Sequence, residues 1–189
     1  MRIIEWPQFL ENGLNLKDEL TSMTIGIFDG VHLGHQALIK RIVSYKANNV
    51  PAVVTFRQNH KTGSKDIQSF QERLDMLKKL GIKITIVIDF TDEFRQIPGA
   101  EFLNLLLKHG SADFFAVGSD FRCGYQLDTD AKAVKNFFAS HKIPVEIVPE
   151  LCHPMDGLKS SLPISSSRIR AAIAAGDIAL AEKMLGYTI

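Results

Sequence analysis

Short apolar runs rich in β-branched residues alternate along this chain with longer segments whose apolar residues recur every three or four positions. Residues 23–28, 52–56, 82–88, 114–117 and Val145–Val148 are the predicted strands. Residues 34–46, 69–80, 100–109 and 131–141 carry the helical period between them. This alternation predicts an α/β fold: a Rossmann-like, doubly wound sheet of about five parallel strands with helices on both faces. The nearly unbroken apolar run Ile84, Ile86, Val87, Ile88 suits a strand covered on both sides. After Val148 a polar stretch with Pro149, Pro154, Gly157 and Pro163 runs irregularly into a final helical region, 167–185. With no internal repeat or composition break, a single domain over 1–189 is expected.

Ligands of such sheets bind beyond the carboxyl ends of the strands, where strand order reverses. At the end of the first predicted strand stand Gly26, Ile27, Phe28, Asp29, Gly30, Val31, His32, Leu33, Gly34 and His35. Asp-Gly signals a turn, and an amphipathic helix follows. Two histidines three positions apart in a first helical turn can share one side, next to backbone N–H groups that lack intrahelical partners. The helix dipole attracts phosphate there and tends to keep an unliganded histidine neutral, although a neutral imidazole still donates through one nitrogen. Gly34 leaves room for a phosphate to approach the backbone. Either histidine alone would read as an ordinary packed residue, whereas the compound pattern reads as a phosphate site. It is neither a P-loop nor a GxGxxG turn.

Composition narrows the ligand. The formal net charge is +1 and the basic residues are scattered, so no nucleic-acid partner is expected. No apolar run approaches the ~18 residues of a spanning helix, and no secretion signal heads the chain. A soluble, cytoplasmic protein without membrane association is the expectation. Cys123 and Cys152 lack metal-ligand spacing and are expected to stay reduced. The oligomeric state has no sequence signal.

Two further patches fit a nucleotide. The fourth predicted strand runs into Gly118, Ser119, Asp120, Phe121, Arg122, Cys123 and Gly124. A carboxylate there can accept hydrogen bonds from ribose hydroxyls, and the glycines would allow close approach of a ligand. Farther on come Ile164, Ser165, Ser166, Ser167, Arg168, Ile169 and Arg170. Hydroxyls ahead of a helix cap its first N–H groups or bind phosphate, and an arginine fork suits a pyrophosphate.

GxFDGVHxGH at 26–35 resembles the signature of the FMN adenylyltransferase module of bacterial FAD synthetases, whose HxGH core is shared by a wider nucleotidyltransferase superfamily. Gly118 to Gly124 resembles the family's VGxDFxFG loop, with Cys123 in place of an aromatic residue. Residues 164–170 resemble ISSTxIR, with Ser167 at the threonine position. Almost the whole chain takes part in the resemblance. It implies transfer of AMP from ATP to FMN, with magnesium accompanying ATP. His32, His35 and Arg170 would be catalytic. Gly26, Phe28, Asp29, Gly34, Gly118, Asp120, Ser166 and Ser167 would bind the nucleotide, and Phe56, Asn59 and Phe121 the flavin. Arg168, at the variable position, is a weaker candidate, and no protein metal ligand is assigned.

Departures from the family are local. Where the family reads TFxPHP, this chain has Thr55, Phe56, Arg57, Gln58, Asn59 and His60, without either proline, which bears on flavin binding. Pro163 stands where a basic residue is expected, and Lys159 is the nearest substitute. Bifunctional members continue into a riboflavin kinase domain, and kinase activity is not expected of this polypeptide. Three other readings stay open: an HxGH nucleotidyltransferase using another phosphorylated acceptor or CTP, a catalytically weak flavin- or nucleotide-binding sensor, and a Rossmann-like domain used for protein contacts.

Overall fold

The computed structural model describes residues 1–58, 66–154 and 161–189, apart from the side chains of His153 and Pro154. The elements are β1 (Arg2–Glu5), α1 (Trp6–Asn12), β2 (Thr21–Ile25), α2 (Leu33–Val43), β3 (Val50–Phe56), α3 (Phe70–Lys79), β4 (Ile84–Ile88) and α4 (Asp92–Arg95). They continue as α5 (Gly99–His109), β5 (Ala112–Gly118), β6 (Arg122–Cys123), β7 (Thr129–Asp130), α6 (Ala131–Ser140), β8 (Val145–Val148), β9 (Cys152–Pro154), β10 (Ser161–Pro163), α7 (Ser166–Ala174) and α8 (Ile178–Leu185).

Six strands form a parallel sheet in the order β1-β4-β3-β2-β5-β8. From the central β2 the chain builds outward through β3 and β4 on one side and through β5 and β8 on the other. The order therefore reverses between β2 and β5, the two strands whose ends carry the first two motifs. The sheet's two faces bury different clusters. Met23, Ile25, Val54, Ile86, Phe115 and Val117 point toward Trp6, Phe9, Phe102, Leu106, Val134 and Phe138 of α1, α5 and α6. Val53, Phe114 and Ala116 pack with Leu38, Ile39, Ile42 and Leu77 of α2 and α3. The alternation along each strand is the two-residue period of a pleated sheet covered twice.

The differences from expectation have local causes. A sixth strand, β1, escapes pattern reading because it is four residues long and passes straight into α1 at Trp6 without a turn signal. β2 begins at Thr21 and ends at Ile25, where 23–28 was expected. Thr21 and Ser22 are polar yet fully buried, their hydroxyls donating to Gly110 O at 2.7 Å and Ile42 O at 2.6 Å. Phe28 is apolar but left-handed, with φ at +56°, and so cannot extend the strand. The final helical region is two helices, broken at Gly176, whose φ is +76°. Within the stretch after Val148, β9 and β10 pair antiparallel. The start of α3 is a capping box, with Ser69 Oγ accepting the Glu72 N–H and Glu72 reaching back to the Ser69 N–H.

No helix among the described residues is long and apolar enough to cross a membrane.

Candidate active site

Beyond Ile25 the chain leaves the sheet through a turn held from all sides. Gly26 still donates its N–H to Val54 O at 3.0 Å. Phe28, Gly30 and Val31 then take φ of +56°, +77° and +33°, a strained conformation for a β-branched residue such as Val31. Every carbonyl from Ile27 to Val31 is engaged. That of Ile27 accepts from Arg73 Nη1 (2.5 Å) and Thr55 Oγ1 (3.1 Å), and that of Phe28 from the Val31 N–H (3.0 Å). Asp29 O accepts from Ser166 Oγ (2.8 Å), Gly30 O from the Tyr187 hydroxyl (2.7 Å) and Val31 O from Gln36 Nε2 (2.9 Å). Donors from α2, α3, β3, α7 and the segment after α8 thus fix one turn, the way strained functional backbone is maintained.

The turn delivers His32 to the N-cap of α2. His32 is only 6% exposed. Its Nδ1 accepts the His35 N–H at 3.4 Å, so the proton of the neutral ring resides on Nε2. The two imidazoles stack with centroids 3.7 Å apart and 18° between planes. Burial pulls the His32 pKa down to about 4, against an opposing pull from Asp120. A Cβ on Gly34 would lie 3.1 Å from His32 Cε1 and 3.2 Å from Nδ1, so the ring's position depends on that glycine. Phe28 was expected at the nucleotide. Its ring is instead fully buried and meets His35 edge-on at 5.2 Å, which supports the second imidazole from behind. Gly26 has a similar steric role, since a Cβ there would sit 3.0 Å from the Phe28 ring.

The start of α7 docks on the same turn. Asp29, also expected to contact nucleotide, is 3% exposed; its Oδ1 accepts the Ile67 N–H at 2.9 Å and its Oδ2 pairs with Arg170 Nη1 at 2.5 Å. Burial raises the Asp29 pKa, with the Ile67 N–H, Arg170 and Arg73 opposing and Asp66 reinforcing. The Ser166 hydroxyl spends its proton on Asp29 O, so its side chain docks the helix and does not remain as a donor to phosphate. Ser167 Oγ lies 3.5 Å from Arg170 Nη2. The cap is Ser165, which accepts the Arg168 N–H at 3.3 Å, while Arg168 itself donates to Pro163 O. The N–H groups of Ser166 and Ser167 therefore head α7 without intrahelical partners.

After β5, Asp120 is exposed. A Cβ on Gly118 would come within 2.9 Å of Asp120 Oδ1, so glycine lets that carboxylate fold back toward the strand end. Gly124 serves a different contact from the ligand approach expected of it. A Cβ there would lie 2.1 Å from Asp128 Oδ1, the carboxylate that accepts the Gly99 N–H at the start of α5. Half-buried Cys123 has its thiol pushed up to about 12 by burial and by Asp128.

Phe56 at the end of β3 and Phe121 after β5 flank the end of β2, both packed partly buried against the core cluster of α1, α5 and α6. Phe56 meets Phe90 and Phe94 edge-on at 5.8 and 5.9 Å. Asn59, His60 and Lys159 lie outside the described residues. Arg57, next to them, bridges Glu5 at 2.6 Å and Asp89 at 2.8 Å.

Sequence reasoning missed Arg73, Gln36 and Tyr187. Arg73 is 2% exposed, donates to Ile27 O and Arg57 O, and lies 5.1 Å from the Phe70 ring centre. Its signal was present: in α3 it interrupts the apolar stripe Phe70, Leu74, Leu77. Tyr187 follows the last helix and has no periodic signal.

A family model described as FAD synthetase matches residues 15–162, which includes the first two motifs and stops short of α7. Among curated proteins, the chain is 28% identical over 175 residues to the bifunctional riboflavin kinase/FMN adenylyltransferase of Buchnera aphidicola subsp. Schizaphis graminum, with 88% of this chain and 54% of that protein covered. It is 29% identical over 181 residues to an FAD synthetase of Listeria monocytogenes, covering 87% and 68%. The chain therefore spans about half the length of the bifunctional relative. Among solved structures, one titled a macrolide-efflux protein from Streptococcus pneumoniae superposes with a TM-score of 0.81 at 27% identity, over 99% of this chain and 60% of that one. A pantoate-beta-alanine ligase from Francisella tularensis shares the fold, with a TM-score of 0.61 at 16% identity.

Proposed function

Since the chain belongs to the FAD synthetase family, we propose that it transfers the adenylyl group of ATP to FMN, giving FAD and pyrophosphate. One observation supports this reading above the others. The stacked pair His32 and His35 at the head of α2, the start of α7 with Arg170, and Asp120 after β5 converge on the carboxyl end of β2.

The FMN phosphate attacks the α-phosphorus of ATP in line; a P–O bond forms to the FMN oxygen and the bond from the α-phosphorus to the bridging oxygen breaks. A phosphate monoester has its second pKa near ~6, so the nucleophile is mostly dianionic at neutral pH and needs no strong base. The work left to the protein is positioning and charge stabilisation. His32, neutral and carrying its proton on Nε2, donates to an oxygen of the α-phosphate as charge develops there. His35 and the first N–H groups of α2 add to the same field. Arg170, Ser167 and the head of α7 receive the leaving pyrophosphate, and Asp120 accepts from the ribose. Gly34 and Gly118 keep the approach clear, while Phe56 and Phe121 line the flavin side.

Among the described residues no three His, Cys, Asp or Glu groups cluster as metal ligands. A magnesium ion accompanying ATP would be held mainly by phosphates and water and would neutralise charge on the pyrophosphate.

The test is incubation with ATP or CTP, magnesium and a panel of phosphorylated acceptors that includes FMN, followed by product masses. FAD from ATP and FMN is expected; a different adduct would reassign the acceptor or the nucleotide.

A further inference from the structure

We propose that Asp29 is a positioning residue for the nucleotide site, acting through Arg170. This rests on the nucleotide reading above and adds a role for a carboxylate that does not itself face the ligand. Two of its hydrogen bonds reach α7: Oδ2 to Arg170 Nη1 at 2.5 Å, and the main-chain oxygen to Ser166 Oγ at 2.8 Å. A third, from the Ile67 N–H to Oδ1 at 2.9 Å, fixes the carboxylate itself. The side chains are 4% and 19% exposed for Asp29 and Arg170, so the pair is shielded from water on the Asp29 side and open on the Arg170 side. A guanidinium has five N–H groups in a rigid fork. Asp29 takes an N–H of Nη1; Nη2 donates one N–H to the Ser167 hydroxyl at 3.5 Å and keeps its second for a phosphate oxygen. Without Asp29 the long side chain would have to be ordered at the moment of binding.

A carboxylate next to an arginine also subtracts attraction for polyphosphate, so the sign of the effect decides between positioning and competition. Asp29→Asn keeps the shape and an acceptor for the Ile67 N–H while removing the ion pair. Calorimetric titration with magnesium-ATP, without any acceptor, should show binding about tenfold weaker than wild type. In an Arg170→Gln background the same change should cost less than about twofold, because coupled residues are not additive. In turnover, KM for ATP should rise with KM for FMN unchanged. Binding as tight as wild type or tighter, or an equal further loss in the Arg170→Gln background, would overturn the proposal.

Should Asp29→Asn fail to fold, Arg170→Lys serves instead. It keeps the charge but has no fork to serve two partners, and wild-type affinity in it would overturn the proposal. A wild type that binds magnesium-ATP yet makes no FAD removes the FMN reading and leaves this inference standing. A wild type that does not bind magnesium-ATP overturns both.

Discussion

His32 and His35 share a stacked arrangement, with ring centroids 3.7 Å apart, in which His32 Nδ1 takes the N–H of His35. That bond directs the ring proton to Nε2 and makes His32 a neutral donor at the head of a helix. His32→Ala should lower kcat for FAD formation by about 10²–10³, the range for loss of one donor to a developing oxyanion. KM for ATP should change less. His32→Gln, which keeps an N–H near the Nε2 position, should retain more of the rate than alanine does, as steady-state kinetics of the two variants will show.

Gly34→Ala separates helix stability from ring position. Alanine favours a helix over glycine by about 1 kcal/mol, yet its Cβ would press on His32 Cε1 at 3.1 Å. The expected result is a melting temperature close to wild type with kcat reduced at least about tenfold, the equivalent of a small displacement of a catalytic group. Unchanged kcat would mean that the His32 ring does not need its present position.

The depressed pKa of His32 has a consequence for stability. In the unfolded chain the imidazole titrates near 6.5, and in the fold at about 4. Below pH 6.5 the unfolded state binds more protons, so this contribution is complete above 6.5 and is lost as pH falls toward 4, at about 1 kcal/mol per unit. Denaturant unfolding of wild type and His32→Gln from pH 7.5 to 4 should show the steeper acid decline in the wild type.

Arg73 and Tyr187 are tested through stability. Arg73→Met removes its donors to the carbonyls of Arg57 and of Ile27, the latter keeping only the Thr55 hydroxyl, and the loss of two charge-assisted bonds should cost about 2–4 kcal/mol. Tyr187→Phe removes one donor to Gly30 O and should cost about 1 kcal/mol. Both are read by denaturant midpoint. An Arg73→Met loss no larger than that of Tyr187→Phe would show that the arginine is not what holds the turn.

Much of the sheet was legible because Ile84–Ile88 is β-branched throughout and buried at every position, while in the edge strand β8 Val145 and Val148 are buried on either side of the partly buried Glu146 and Ile147. Legibility failed where chemistry and environment part company. Thr21 and Ser22 look like loop residues but are buried strand residues with bonded hydroxyls, and Phe28 looks like strand but is left-handed. The histidine motif is local, so its spacing alone revealed it. The contact between Asp29 and Arg170 spans 141 positions, and no periodicity encodes it. Reading each residue separately sent both to the nucleotide, whereas in the fold one holds the other.

The products formed from ATP and FMN with magnesium test adenylyl transfer most directly. The wild-type protein should give FAD and pyrophosphate in equal amounts, with both collapsing together in His32→Ala. Pyrophosphate without FAD, or equal FAD from wild type and His32→Ala, would contradict it.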